Sequence, residues 1–571
     1  MKLKNILYGV SAIALMGLTS CDDFLDKIPD TRVELETVEQ LSMLLVTSYP
    51  TANYGLVCDF SSDNVDDNNS PDANGNRYNL TPYDKGDEEL YTFQDVKSAT
   101  GTDSPSYIWE GFYSAIAGAN AVLEKIPEME AKGTSLAGYE KLPAIKGEAL
   151  MIRAYCHFIL ANIFCEAYRG PELSQAVLGI PYIKTPETTV KPHYERGTLA
   201  DVYDNIERDL LEGLPLINNG LYEVSKYHFN TAAANAFAAR FFLFKRDYQK
   251  ALDYANAAFG GENVDVSQFM SDLWQNLGNL YYISDFGLYY NNIDKARNFM
   301  LIPTNSIQLR HTASSSRFAT TRDAKRATLQ GPGPSWEKYR WQASDGSGEV
   351  FSMNPCFNGA CGVNGKAEWG TFFAGTCAEQ FEYTDKVAGI GYAHITRAEF
   401  TGEETLLVRA EAKAFLGDKA GAIADLAVWD NAHRVYTSGD NYVDLTEKVL
   451  RDFYVTEDPG YGIAKQINID EVCPSTEYSL TDDILPIVQC VQHYRRIETI
   501  HTGMRFFDLK RFGIEYTHKY GKDGVELTMT KMDPRKAIQI PTEVLAAGLQ
   551  PNKRADKNAI NQSLAKYKLV K

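Results

Sequence analysis

Apolar residues recur at three- and four-residue spacing along much of the chain, the period of helices that bury one face. Tyr107 to Ile126 (YIWEGFYSAIAGANAVLEKI) is one such segment, and Pro127 behind it reads as a stop. Pro143 opens the next, through LPAIKGEALMIRAYCHFILANIFCEAY. Leu199 to Leu211 follows, with Thr198 as N-cap. Thr231 to Phe259 and Glu403 to Asn431 each predict two helices around a tight turn, and Gln492 to Phe512 is mostly helical. Strand signals are short and scattered. The pattern predicts a mainly α fold.

Two of these segments align without gaps. In AARFFLFKRDYQKALDYANAAF, Ala239 precedes Asp247 by eight residues and Ala251 by twelve. In RAEAKAFLGDKAGAIADLAVWD, Ala410 stands in the same relation to Asp418 and Ala422. Small residues there let two antiparallel helices approach closely, with the Asp in the turn. The pair resembles degenerate tetratricopeptide repeats, 171 residues apart, so helical hairpins must stack in space across long insertions. The expected architecture is tetratricopeptide-like hairpins forming one body, with long irregular loop insertions and a few short strands.

Two irregular stretches interrupt the helices. One, within 57–106, is rich in Asp, Asn and Tyr; the other, 270–397, is rich in Gly, Ser, Pro and aromatics. Long loops inside a compact domain usually carry function, so both are assigned to one loop face.

The first twenty residues stand apart. Lys2 and Lys4 precede an apolar run from Ile6 to Leu18, too short to span a bilayer, so 1–20 reads as a signal peptide. Leu18-Thr19-Ser20-Cys21 resembles a bacterial lipobox, which implies acylation of Cys21 and a chain 21–571 held at a membrane by lipid.

The net charge is −18, from 57 Lys+Arg against 75 Asp+Glu. This argues against a nucleic-acid partner. The cysteines are too sparse for a disulfide scaffold. Cys156 and Cys165, in an apolar helical run, read as buried free thiols, while Cys356 and Cys361 lie close enough in sequence to pair. No spacing matches a zinc site, and neither H-E-x-x-H nor G-x-S-x-G occurs. The stretch Gly362–Lys366 lacks the Ser or Thr of a phosphate loop. No cofactor or metal is implied, although Asp63, Asp66 and Asp67 form a candidate calcium cluster. Arg505, Asp508 and Arg511, at i, i+3 and i+6, predict an interhelical lock in which Asp508 bridges both arginines, and Glu148 with Arg153 is read the same way.

In order along the chain, the segments resemble the SusD/RagB family of outer-membrane nutrient-binding lipoproteins. The resemblance rests on Trp109 through Asn120, on Gly147-Glu148-Ala149 with Arg153-Ala154-Tyr155, and on Ala239-Arg240. It continues through Arg409-Ala410-Glu411-Ala412, Gly503 to Gly513 (GMRFFDLKRFG) and Ile540-Pro541. Phe512 stands where Trp is usual, and Pro551-Asn552 reverses the usual order. The resemblance implies a cell-surface protein of the outer membrane that binds nutrient oligosaccharide without catalysis. It also implies delivery to a SusC-type TonB-dependent transporter. A peptide-binding member of the same family and a surface glycosidase are the alternatives.

A sugar offers an apolar C–H face and a rim of hydroxyls, so its site should combine exposed rings with short polar residues on loops. Trp336, Tyr339 and Trp341 follow the Gly331–Pro334 turn, and Tyr289 and Tyr290 share that insertion. Tyr83, with Asp63 and Asp67, comes from the other irregular stretch. These eight are the expected ligand-binding residues. Trp109 and Trp429, on helices, are expected in the core.

Overall fold

The computed structural model describes residues 35–72, 75–187, 193–272, 283–312, 316–328, 331–336, 341–342, 349–350, 356–358, 372–374, 378–433 and 443–554. The leader, Cys21, Tyr339 and Cys361 lie outside the described residues.

The helices begin where the sequence supplies caps. After α1 (Val38–Val46), α2 (Gly55–Phe60) and α3 (Lys85–Tyr91), the long α4 (Pro105–Lys132) starts at Ser104, whose hydroxyl accepts from Tyr107 N at 3.2 Å, with Pro105 in the first turn. It does not stop at Pro127. The helix runs through the proline because Ile126 and Met129 bury against the core and hold the last turn, and it ends at Gly133 with φ +62°. Next come α5 (Leu142–Phe164), buried over almost its whole length, and α6 (Leu199–Gly213), capped by Thr198 as expected. Then come the hairpins α7 (Thr231–Lys245) with α8 (Tyr248–Ala258), and α9 (Gly402–Phe415) with α10 (Lys419–His433).

The repeat reading holds. Ala239, Ala251, Ala410 and Ala422 are fully buried, and Asp247 caps α8 from within its turn. Helix α8 packs on α9, which stacks the two hairpins despite the insertion between them. Helix α11 (Leu485–Glu498) lies on α9 and leads into α12 (Met504–Arg511). Gly503 joins them at φ +85°, where a Cβ would sit 2.9 Å from Cys58 Cβ, so only glycine lets α12 rest this close to α2.

The strands are few. β1 (Asp66–Asp67) pairs antiparallel with β3 (Phe318–Ala319). A three-stranded sheet has the order β2 (Asn298–Asn305), β5 (Ile390–Thr401), β4 (Gln380–Asp385), and the hairpin β6 (Tyr516–Tyr520) with β7 (Val525–Met529) completes the set used below.

Buried ion pairs tie the helices together, but with partners other than the expected ones. Asp508 accepts from Arg511 at 2.6 Å and from Arg495 of α11 at 2.9 Å, while Arg505 turns away to Asp63. The i, i+3 spacing is equal for both arginines, and the position of α2's C-terminal loop decides which one Asp508 keeps. Glu148 and Arg153 are not a pair. Arg153 grips Asp209 of α6 at 2.6 and 2.8 Å, and Glu148 accepts from Tyr49 at 2.7 Å and lies 2.8 Å from His228 Nδ1. Cys156 and Cys165 are buried free thiols, as expected. Among the described residues, no helix is long and apolar enough to cross a membrane.

Candidate ligand face

The two irregular stretches meet. Beyond the β1–β3 pairing, Arg317 clamps Asp67 with Nε–Oδ1 and Nη2–Oδ2 both at 3.0 Å, and Arg322 donates to the carbonyls of Asp67 and Ser70. Asp103 accepts from Ile307 N at 2.7 Å, and His311 Nδ1 lies 2.8 Å from Asp87 Oδ1. Asp103 is held at φ +61° in a buried position, and burial pushes its carboxyl up to about 6. Asp87 is fixed by its own helix: it closes the capping box of α3 with Asp84.

This stitching presents Tyr83 to solvent. Its ring leans on His311, with centroids 4.4 Å apart, and stays 52% exposed. Beside it Arg310 forks onto Glu379, Nε to Oε2 at 2.8 Å, at the root of β4. Strand alternation then displays Phe381 (46% exposed) and Tyr383 (51%) on one face of the β4–β5 hairpin, edge to face with centroids 4.9 Å apart. Their partners across the ladder are small, Ala393 and Gly391. A Cβ at Gly391 would come within 2.7 Å of Phe381 Cε1, so glycine makes room for the ring. On the other face Tyr392 donates to Glu382 at 3.1 Å and is also exposed.

Tyr83, Phe381 and Tyr383 thus offer flat apolar surface beside a guanidinium–carboxylate pair whose Arg310 side is open to solvent. Rings of this kind stack on the C–H face of a sugar, and the charged pair can donate to and accept from its hydroxyls.

Of the expected residues, Tyr83 stands on this face. Asp63 does not: it is buried under Arg505, Arg496 and Lys465. Burial works against its ionisation, but these three cations hold its carboxyl well below the usual range. Asp67 is consumed by Arg317. Trp336 is only 2% exposed, because the Gly-Pro turn folds it onto α11 beside His493 and Tyr494, with Nε1 donating to Gly331 O at 3.0 Å. Tyr290 is buried too, donating to Glu498 at 3.1 Å beneath the Arg297 guanidinium. Tyr289 is half-buried with Lys295 Nζ 3.7 Å over its ring. For Trp341 only its strand pairing with Val350 is described. The calcium cluster dissolves, since Asp63, Asp66 and Asp67 turn to separate partners, Asp66 accepting from Ala324 N and Thr321.

Trp429 is in the core, but Trp109 is half-buried. With Tyr113, Tyr194 and Leu549 it lines a cavity of about 190 Å³. The i, i+4 spacing of Trp109 and Tyr113 is visible in the sequence, but not that α4 turns this face outward. Likewise the Phe381–Tyr383 alternation is a strand signal present in the sequence.

Residues 23–243 match the model of a SusD-like family described as starch-binding and associating with the outer membrane. No curated protein matches the chain. Among solved structures, a SusD superfamily protein from Bacteroides vulgatus is 13% identical with TM-score 0.54, over 90% of this chain and 98% of that one. A SusD superfamily protein from Bacteroides thetaiotaomicron is 16% identical with TM-score 0.52, over 91% and 100%. A SusD-like carbohydrate binding protein from Bacteroides vulgatus is 15% identical with TM-score 0.51, over 91% and 98%. At such identities the likeness is one of fold.

Proposed function

We propose that the chain, whose residues 23–243 match a SusD-like family model, is a SusD-like surface lipoprotein that captures oligosaccharide on the Tyr83–Tyr383 face. It passes the sugar to a SusC-type TonB-dependent transporter and performs no catalysis. The observation that carries the reading is the cluster of exposed rings around Arg310–Glu379, built where the two irregular stretches join. The family's starch-binding description supports a glucan as the first ligand to try. Anchoring through Cys21 would keep the face close to the transporter's mouth.

The test presents the mature, unlipidated protein to arrays of glycans and peptides, then assays the bound glycans for new reducing ends. Binding of an oligosaccharide without product supports the reading. Binding of peptides alone, or release of reducing ends, overturns it. Co-purification of a large membrane β-barrel with the native lipoprotein checks the transporter step.

A further inference from the structure

Away from the ligand face, the end of α5, helix α12 and the turn after β7 enclose a cleft of about 160 Å³. Its charged lining is Glu166, Arg169, Lys510, Lys531, Asp533 and Lys536. Two of these charges are already neutralised: Asp533 is held by Arg535, and Lys531 at the mouth pairs with Glu471. Among the described residues, Arg169, Lys510 and Lys536 form no ion pair; Glu166 is the one lining carboxylate not held by an arginine, and Glu515 acts on Lys536 from outside the lining. On a chain of net charge −18 this is a local excess of positive charge.

Both lysines are buried, and their bonds go to carbonyls. Lys536 Nζ donates to the carbonyls of Ile514 (2.7 Å), Lys531 (3.1 Å) and Leu509 (3.4 Å), which occupies all three of its hydrogens. Lys510 Nζ donates to the carbonyls of Asn162 and Cys165, both at 2.6 Å, caps the end of α5, and keeps one hydrogen. Arg169 uses Nε on Val472 O at 3.2 Å, and its two terminal nitrogens make no hydrogen bond to a described residue. Capping carbonyls explains one lysine at each place. It does not explain three cations around one cleft whose only unpaired carboxylate is Glu166, an arrangement that for the two buried lysines costs stability unless something negative enters. Burial pushes Lys510 down to about 8, and Lys536 down to about 7 against the pull of Asp533 and Glu515, as expected of amines short of counter-charge.

We propose that this cleft is a binding site for a small oxyanion (carboxylate, sulfate or phosphate). The terminal nitrogens of Arg169 and the free hydrogen of Lys510 bond the anion, and Lys536 supplies charge without a bond. A planar guanidinium suits such a group because it donates two parallel hydrogen bonds. Glu166 competes for the same donors. The oxyanion's source is either a free inorganic ion or the acid group of a charged sugar.

Calorimetry and thermal melting with sodium sulfate, sodium phosphate and sodium glucuronate, against sodium chloride at equal ionic strength, test the site. A saturable signal above chloride is expected from at least one of the three. Arg169→Gln should weaken it by about tenfold or more. Glu166→Gln should tighten it, a gain that no loss of folding can imitate. Tighter binding of glucuronate than of the inorganic ions identifies an acidic sugar, and the reverse order identifies a free ion. Absence of saturable binding for all three, or Glu166→Gln binding no tighter than wild type, overturns the proposal.

Discussion

Asp63 accepts two hydrogen bonds from Arg505, at 2.8 and 2.9 Å, across 442 residues of chain. The contact fastens the loop behind α2 to α12, and Lys465 and Arg496 converge on the same carboxylate. Asp63→Asn would leave two buried arginines and the half-buried Lys465 without their counter-charge. The expected cost is about 3–5 kcal/mol of stability, read by urea unfolding. An unfolding curve like that of the wild type would show that the cluster does not hold the fold together.

Trp336 and Tyr83 separate packing from binding. Trp336→Ala should destabilise by about 3–5 kcal/mol, because it empties a core site against α11. Tyr83→Ala should melt like the wild type and bind oligosaccharide about 5- to 150-fold more weakly, taking base–aromatic stacking as the analogue. Tyr383→Ala should behave as Tyr83→Ala does. Calorimetric affinity beside thermal melting checks all three. Undiminished binding by both tyrosine variants would remove the glycan from this face.

Lys536 makes stability depend on pH. Its folded value is about 7 against an ordinary value of 10.5, so above pH 7 the unfolded chain binds the extra proton. Stability from this group therefore rises with pH and is at its lowest below about pH 7. Lys510, pushed down to about 8, adds the same trend starting higher. Between about pH 7 and 8.5 the stability of Lys536→Met should gain less with rising pH than that of wild type, the titration of free thiols being common to both proteins. Parallel slopes for the two proteins would contradict this.

The anchor has its own test. Cys21→Ala should leave the melting of the body unchanged and move the protein from the membrane fraction to the soluble fraction. Retention of the variant at the membrane would mean that something other than acylation holds it there.

The sequence by itself determined the helices, because caps and spacing are local: Thr198 opens α6, and Ala239, Ala251, Ala410 and Ala422 mark the close packing of two hairpins. It also marked the two irregular stretches that meet through the β1–β3 pairing and the Arg317–Asp67 clamp. What it left open was which side of each ring and charge faces water. Trp336 and Tyr290 sit in loop-rich sequence yet are buried, since α11 supplies an aromatic surface and a carboxylate for them from over 150 residues away. Asp508 had two arginines at equal spacing, and only the approach of Asp63 freed it for Arg495. Local sequence fixes an element's period, whereas the partner that desolvates or neutralises a side chain comes from a distant segment, so burial and charge pairing belong to the tertiary structure.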